Sequence, residues 1–80
     1  MKDLTALRND IVGSVTTDYD STVLIRTTYQ KDDEPTLQYF TVKVVRNGHC
    51  IRETPLLSSI GAVRTWIDRL SLEFEVPSIR

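Results

Sequence analysis

The stretch LQYFTVKVVRNGHCIRE, residues 37–53, carries the clearest structural signal in this chain. A run rich in β-branched and aromatic residues precedes Asn47 and Gly48, and HCIRE after them completes a third strand. Both residues tolerate the positive φ angles of a type I′ turn. The dipeptide therefore predicts a β-hairpin with a two-residue loop, in which Arg46 faces His49.

A second hairpin is predicted on the N-terminal side of this one. Residues 22–30, TVLIRTTYQ, have the same β character, and the polar segment KDDEPT connects them to the middle strand. If that segment is the whole loop, Gln30 faces Leu37 and Ile25 faces Val42. Both hairpins then bury the same face of the middle strand. The residues predicted to face the core of the sheet are Val23, Ile25, Tyr29, Phe40, Val42, Val44 and Ile51.

The N-terminal segment has the spacing of an amphipathic helix. Leu4, Leu7, Ile11 and Val15 recur at intervals of three and four residues, which places them on one helical face. Asp3 is then a suitable N-cap. The sequence predicts a first helix that packs on the meander.

A second amphipathic helix is predicted near the C-terminus. It begins after Ser58 or Ser59, either of which is a suitable N-cap, and it ends before Pro77. Its apolar stripe is formed by Ile60, Val63, Ile67, Leu70 and Phe74. The order of elements is then α-β-β-β-α. The sequence thus predicts one small α+β domain over residues 1–80, a two-layer fold with a three-stranded antiparallel meander and both helices packed on one face.

This order of elements resembles the layout of the double-stranded-RNA-binding domain. The resemblance implies phosphate contacts by a cluster of lysines at the start of the second helix. This chain has SSIGAVRTWIDRL there, with Arg64 and Arg69 as its basic residues. Small phage-encoded inhibitors also use compact helix-and-meander folds of this length. No motif in this sequence assigns it to a particular family.

The composition predicts a soluble cytoplasmic protein. The chain has 80 residues, 40% hydrophobic and 26% charged, and a formal net charge of -1, so it has no overall attraction to nucleic acid or to an anionic membrane. One cysteine can form no internal disulfide, which fits a reducing compartment. No apolar run has the length of a signal peptide core or of a membrane span.

The adjacent pair His49 and Cys50 is the stretch that most resembles a reactive site. Neighbours on a strand point to opposite faces, whereas a cysteine–histidine nucleophile needs the two groups within about 3 Å of each other. A zinc site needs three or four ligands. The sequence therefore predicts no catalytic residue, no metal, no cofactor and no enzymatic activity, although a site shared between subunits stays open.

The predicted register turns a basic set of side chains outward. Arg52 lies opposite Lys43 in that register, a like-charge pair that costs stability unless a partner compensates it. The outward residues are Leu24, Arg26, Thr28, Tyr39, Thr41, Lys43, Val45, Cys50 and Arg52. Candidate binding residues among them are Arg26, Tyr39, Lys43 and Arg52. The alternative, that basic residues merely decorate a solvated sheet face, stays open.

Two functions are compatible with this surface. The first is a non-catalytic interaction module, such as a small adaptor, regulator or inhibitor of the phage or mobile-element type, which binds a protein partner through the outer sheet face or an edge strand. The second is a nucleic-acid-binding domain that uses the basic sheet face. Residues 22–30 form a long strand without proline, so a homodimer through this predicted edge strand is a further expectation.

Overall fold

The computed structural model describes residues 4–31 and 36–79, which form four strands and one helix. In chain order these are β1 (Leu4–Thr16), β2 (Asp20–Lys31), β3 (Leu37–Arg46), β4 (His49–Glu53) and α1 (Ile60–Phe74). The strands form one antiparallel sheet in the order β1-β2-β3-β4. The helix α1 packs against β3, and we call the face that it covers the inner face and the opposite one the outer face. The α+β class is confirmed, whereas the three-stranded meander with two helices is wrong.

The segment that was predicted to be the first helix is strand β1. Its apolar residues do not share one face: Ile11 pairs with Ile25 on the outer face, and Val15 pairs with Thr22 on the inner face. Two bulges in β1 change the alternation of side chains, so apolar residues that are four apart come to lie on different faces. Many of its residues are β-branched, which favours a strand once β2 offers a hydrogen-bonding edge. The N-cap assigned to Asp3 lies outside the described residues.

The core lies between β3 and α1. Val42 and Val44 are completely buried, and Phe40 packs against them, so the predicted inward face of β3 is confirmed. The remaining buried apolar residues come from the segment before α1, from the helix and from the segment after it: Leu57, Val63, Ile67, Leu70 and Val76. This apolar contact holds the helix on the inner face.

The register between β2 and β3 differs from the prediction by one residue. Tyr29, not Gln30, pairs with Leu37, so Leu24 pairs with Val42 and faces the core. Seven residues, 30–36, therefore separate the last pair of the two strands, whereas the predicted loop has six. A one-residue slip moves every side chain of a strand to the other face. The inward placement of Val23, Ile25 and Tyr29 is therefore wrong.

The hairpin between β3 and β4 has the predicted turn. Asn47 and Gly48 have φ angles of 52° and 80°, and the adjacent pair is Arg46 with His49, so this part of the prediction is confirmed. A bulge follows between the partners of Val44 and Val45. The extra residue is Ile51, which is exposed, so its predicted place in the core is wrong.

The edge of β3 beyond β4 is closed by the segment that leads to the helix. Thr54 donates its N–H to the carbonyl of Val42, and its hydroxyl accepts the N–H of Val42, both at 3.0 Å. Leu57 and Phe40 then exchange two backbone hydrogen bonds of 2.8 Å. Pro55 interrupts the ladder between them, because proline has no N–H to donate. The side chain of Thr54 thus replaces a backbone partner that the ladder lacks.

The helix begins as predicted. Ser59 is the N-cap, and its hydroxyl accepts the N–H of Ala62 at 3.1 Å. Ile60, which was assigned to the apolar stripe, is 58% exposed. The helix ends at Glu75, which adopts a left-handed conformation. The buried residues of the helix are Val63, Ile67 and Leu70.

Arg46 ties the C-terminal end of the helix to the sheet. Its Nε lies 2.8 Å from Oδ1 of Asp20, and its Nη2 donates to the carbonyl of Phe74 at 3.0 Å. The hydrogen bond that Arg46 donates to the carboxylate of Asp20, together with the negative charge of that carboxylate, raises the pKa of Arg46 above its ordinary value. The segment after the helix then crosses the inner face of β2, where the hydroxyl of Thr22 donates to the carbonyl of Pro77 at 3.3 Å.

Candidate interaction surface

The outer face of the sheet is not covered by any element within residues 4–31 and 36–79, since α1 packs on the opposite side. Cross-strand pairing and a shared depression define which side chains lie on it. They include Asn9, Ile11, Val23, Ile25, Thr27, Tyr29, Tyr39, Thr41, Lys43, Glu53 and Leu56. Most are apolar, aromatic or hydroxyl-bearing. This composition differs from that of an ordinary solvated sheet face, which is dominated by charged residues.

Two threonines of the outer face are buried although no described element covers this face. Thr27 and Thr41 are each only 8% exposed. Their direct cross-strand partners are large, Tyr39 for Thr27 and Ile25 for Thr41, and these side chains screen them from water. Tyr29 packs edge-to-face on Tyr39, with ring centroids 5.7 Å apart and planes at 73°. The aromatic pair is thus held in place before any partner binds.

A depression of about 330 Å³ lies next to this pair. Residues from all four strands and from the segment after β4 line it: Asn9, Ile25, Thr27, Tyr29, Thr41, Lys43, Glu53 and Leu56. Its two charges compensate each other, because Nζ of Lys43 lies 3.4 Å from Oε1 of Glu53. Both side chains are more than a third exposed, so this ion pair contributes little to stability. The depression is charge-balanced and offers apolar surface beside threonine hydroxyls.

The structure does not bring the four predicted binding residues together. Tyr39 and Lys43 lie on the outer face, as expected. Arg26 pairs with Phe40 and therefore lies on the inner face, where its Nη2 is 3.4 Å from Oδ2 of Asp10. The predicted outward position of Arg26 is wrong because the register slips by one residue.

Arg52 is displaced from the outer face for a different reason. The bulge at Ile51 makes it pair with Val44, and its Nη1 lies 4.0 Å from Oε1 of Glu73 on the helix. Glu53 consequently takes the position opposite Lys43 that the sequence assigned to Arg52. An attractive pair replaces the predicted like-charge pair, so the basic sheet face does not form.

The members of the outer face were predicted wrongly in part because the predicted register of β2 on β3 differs from the observed one by one residue. Shifting the partner strand by one residue turns alternate members of TVLIRTTYQ outward, namely Val23, Ile25, Thr27 and Tyr29. The contribution of Asn9 had no accessible signal, since its segment had the period of a helix. Leu56 follows Pro55 and belongs to no regular strand, so alternation could not place it.

His49 and Cys50 lie side by side at the hairpin corner, and both are exposed. Their cross-strand partners, Arg46 and Val45, are successive residues of β3 and so lie on opposite faces. The thiol of Cys50 lies 3.4 Å from the carbonyl of Arg52. Within the part of the chain that the structure describes, no group of three or more histidine, cysteine, aspartate or glutamate residues is placed to hold a metal ion.

Two strands border the sheet, β1 and β4, and the strand that was predicted to be an edge strand is neither of them. Residues 22–30 fall within β2, which is paired on both sides, so their role as an edge strand is wrong. Among the described elements, β1 contacts β2 and no other. Three of its large apolar residues are exposed: Leu7 at 53%, Ile11 at 70% and Val12 at 43%.

A scan of the chain against protein-family models gave no match, and searches of curated proteins and of solved structures gave none either. No helix among residues 4–31 and 36–79 has both the length and the apolar character needed to cross a bilayer.

Proposed function

We propose that this chain is a non-catalytic interaction module, a small adaptor, regulator or inhibitor, that binds a protein partner through the outer face. The observation that supports this proposal is an uncovered sheet face on which two threonines are already buried and an aromatic pair is preformed. Thr27 and Thr41 are buried there without a covering element, and the Tyr29–Tyr39 pair stands beside an open depression. Preformed aromatic surface of this kind is enriched in protein interfaces because it provides contact area at a low entropic cost.

The charges of the outer face favour protein over nucleic acid as the partner. A nucleic-acid site draws much of its affinity from cations that neutralise phosphates. On this face the cation Lys43 is already close to Glu53, while Arg26 and Arg52 lie on the other side of the sheet beside carboxylates. An electrically balanced centre with aromatic and apolar side chains matches the core of a protein–protein interface.

The partner that fits this surface presents apolar side chains from one exposed segment. Ile25 and Leu56 provide apolar walls to the depression, and Thr27 and Thr41 also line it. An inserted apolar side chain would displace water from these walls and gain roughly 25 cal/mol per Å² of apolar surface removed from water. The Lys43–Glu53 pair at the rim would orient polar groups of the partner and contribute mainly to specificity.

The experiment compares affinity capture by the native protein and by two leucine variants. Leu56 is 52% exposed at the depression, and Leu72 is 84% exposed on α1. Both residues can take a glutamate without loss of core packing. We expect Leu56→Glu to lose the partner from an extract of the source cell and Leu72→Glu to retain it, as measured by quantitative mass spectrometry.

Two outcomes of this capture experiment would contradict the proposal. If Leu56→Glu and Leu72→Glu capture the same proteins as the native chain, the outer face is not the binding surface. If nuclease treatment of the extract removes the captured protein, nucleic acid bridges the two and the alternative function is favoured. Circular dichroism of each variant checks that its fold is intact.

Nucleic-acid binding remains an untested prediction, but its geometric basis is weaker than the sequence indicated. It required Arg26, Lys43 and Arg52 on one face, and the structure separates them. Binding of random oligonucleotides that weakens steeply with salt would support it. We expect the module to act in the cytoplasm, because a chain with one cysteine forms no internal disulfide.

A further inference from the structure

We infer that β1 pairs with β1 of a second copy of this chain, in antiparallel orientation and centred on Asn9. The open edge is the first reason. Among the described elements β1 contacts β2 and no other, so the backbone groups on its other edge point away from the sheet. Leu7 and Ile11 beside that edge are 53% and 70% exposed.

The sequence of β1 is complementary to itself about Asn9. A two-fold axis through Asn9 places Arg8 of each copy opposite Asp10 of the other, and it brings the bulge residue Leu7 close to Ile11. The two resulting charge pairs are attractive, and opposite charges in directly facing positions stabilise an antiparallel pair. The exposed apolar side chains meet at the same time. Pairing therefore provides partners both for the backbone groups at the open edge of β1 and for its exposed apolar side chains.

Neighbouring registers lack this complementarity. Residues that face each other across an antiparallel pair share a face of the sheet, so a two-fold axis must pass through a single residue. An axis at Arg8 or at Asp10 places like charges directly opposite each other, which is destabilising. An axis at Leu7 or further along, at Val12, centres the pairing on a bulge.

The faces of the two sheets also agree in the chosen register. Arg8 pairs with Thr28 and Asp10 with Arg26, so both charges lie on the inner face, while Asn9 pairs with Thr27 on the outer face. Within one copy, Nε of Arg8 is 2.9 Å from Oδ2 of Asp10, which already holds the two charges side by side. The dimer joins two four-stranded sheets into one, with the two outer faces adjacent.

The bulges at Leu7 and Val12 limit the length of this pairing. Between them, residues 8–11 pair regularly with β2 and provide a straight edge. Bulges commonly protect an edge strand, and here they leave a short section open while shortening the contact. An interface of this size falls at the small end of specific complexes, so we expect a reversible dimer with a dissociation constant in the micromolar range.

Sedimentation equilibrium of the purified protein over a concentration series tests the inference without any other partner, and so independently of the proposed function. The key variants are Asp10→Arg and Arg8→Asp. Each places like charges opposite each other twice in the homodimer, and we expect each to raise the dissociation constant by about tenfold or more. An equimolar mixture of the two restores complementary charges and forms a heterodimer with nearly the native affinity.

The matched control is Arg64→Asp on the exposed side of α1, which changes the net charge by the same amount as Arg8→Asp and leaves dimerisation unchanged. A strict monomer of the native chain at every concentration would overturn the inference. So would a mixture of the two folded single variants that stays monomeric, or single variants that dimerise as well as the native chain. Either of the last two results would show that the copies do not pair through Arg8 and Asp10 of β1.

The position of the two-fold axis is tested by cross-linking. In a Cys50→Ser background, Asn9→Cys brings two thiols together on the axis and forms an intermolecular disulfide on mild oxidation. Ile11→Cys faces Leu7 of the second copy and forms none at a comparable rate. Equal cross-linking at both positions would overturn the register.

Discussion

β3 and β1 are strands of similar length in one sheet, but their surroundings differ completely. β3 is paired along both edges, and α1 covers its inner face, so Val42 and Val44 have no exposed surface. β1 is paired along one edge, and its Ile11 is 70% exposed. The comparison teaches that stability is concentrated around β3, whereas β1 retains the backbone and apolar groups with which another chain can pair.

The largest effect is expected where α1 meets β3. Leu70 is completely buried, and Leu70→Ala removes its contacts and leaves a cavity, so we expect the free energy of unfolding to fall by about 2–5 kcal/mol. Urea unfolding measures this change. Leu72→Ala is the control, because that side chain is 84% exposed and its loss changes stability by about 0.5 kcal/mol or less. Equal effects would show that α1 is packed in another orientation.

The next effect concerns the second edge of β3. Thr54→Val keeps the shape of a buried side chain but removes the hydroxyl that accepts the N–H of Val42. An unsatisfied buried donor costs about 1–3 kcal/mol, and we expect urea unfolding to show a loss in that range. Thr54→Ser keeps the hydroxyl and should lose less. The reverse order would mean that the methyl group, and not the hydrogen bond, closes this edge.

A smaller effect is expected at the start of α1. Ser59→Ala removes the acceptor for the N–H of Ala62, which lowers the free energy of unfolding by about 1 kcal/mol. Thermal unfolding followed by circular dichroism measures it. Ser58→Ala, one residue before the cap, serves as the control. A greater loss at Ser58 would move the N-cap to that residue.

The smallest effect is expected on β1. Ile11→Thr keeps a β-branched side chain at an exposed position, so the stability of the monomer should change by about 0.5 kcal/mol or less. The matched change on β3 is Val44→Thr, which places a hydroxyl in a fully buried site and should cost at least about 1 kcal/mol. Unfolding at a concentration below the dimer range compares the two. Equal losses of stability in the two variants would contradict the difference in burial between β1 and β3.

Local signals in the sequence were reliable where a few neighbouring residues decide the conformation. The turn at Asn47 and Gly48, the cap at Ser59 and the inward face of β3 all follow from such signals and are confirmed. The register of β2 on β3 was wrong because a long polar loop does not specify which residues face each other. The prediction for β1 was wrong because its apolar residues have the three-and-four spacing of a helix, whereas the strand uses two bulges to place them on different faces.

The errors in strand register also decided which of the predicted binding residues lie on the outer face. Tyr39 and Lys43 belong to β3, whose faces were predicted correctly, and they lie on the outer face. Arg26 and Arg52 belong to its two neighbours, and each neighbour differs by one residue from the expected pairing. One residue of slip is enough to exchange the faces of a strand, so both arginines moved to the inner side.

The sequence by itself determined the hairpin around Asn47, the alternation of β3 and the amphipathic helix that covers it, because each depends on backbone preferences and periodicity over a few adjacent residues. The tertiary structure decided that the N-terminal segment is strand β1 and not a helix. It also decided the register on both sides of β3 and the members of the outer face. These features depend on hydrogen bonds between segments distant in sequence and on bulges that insert single residues. Periodicity within one segment contains no information about such pairing, so the surface that we propose as functional became visible only once the strands were placed side by side.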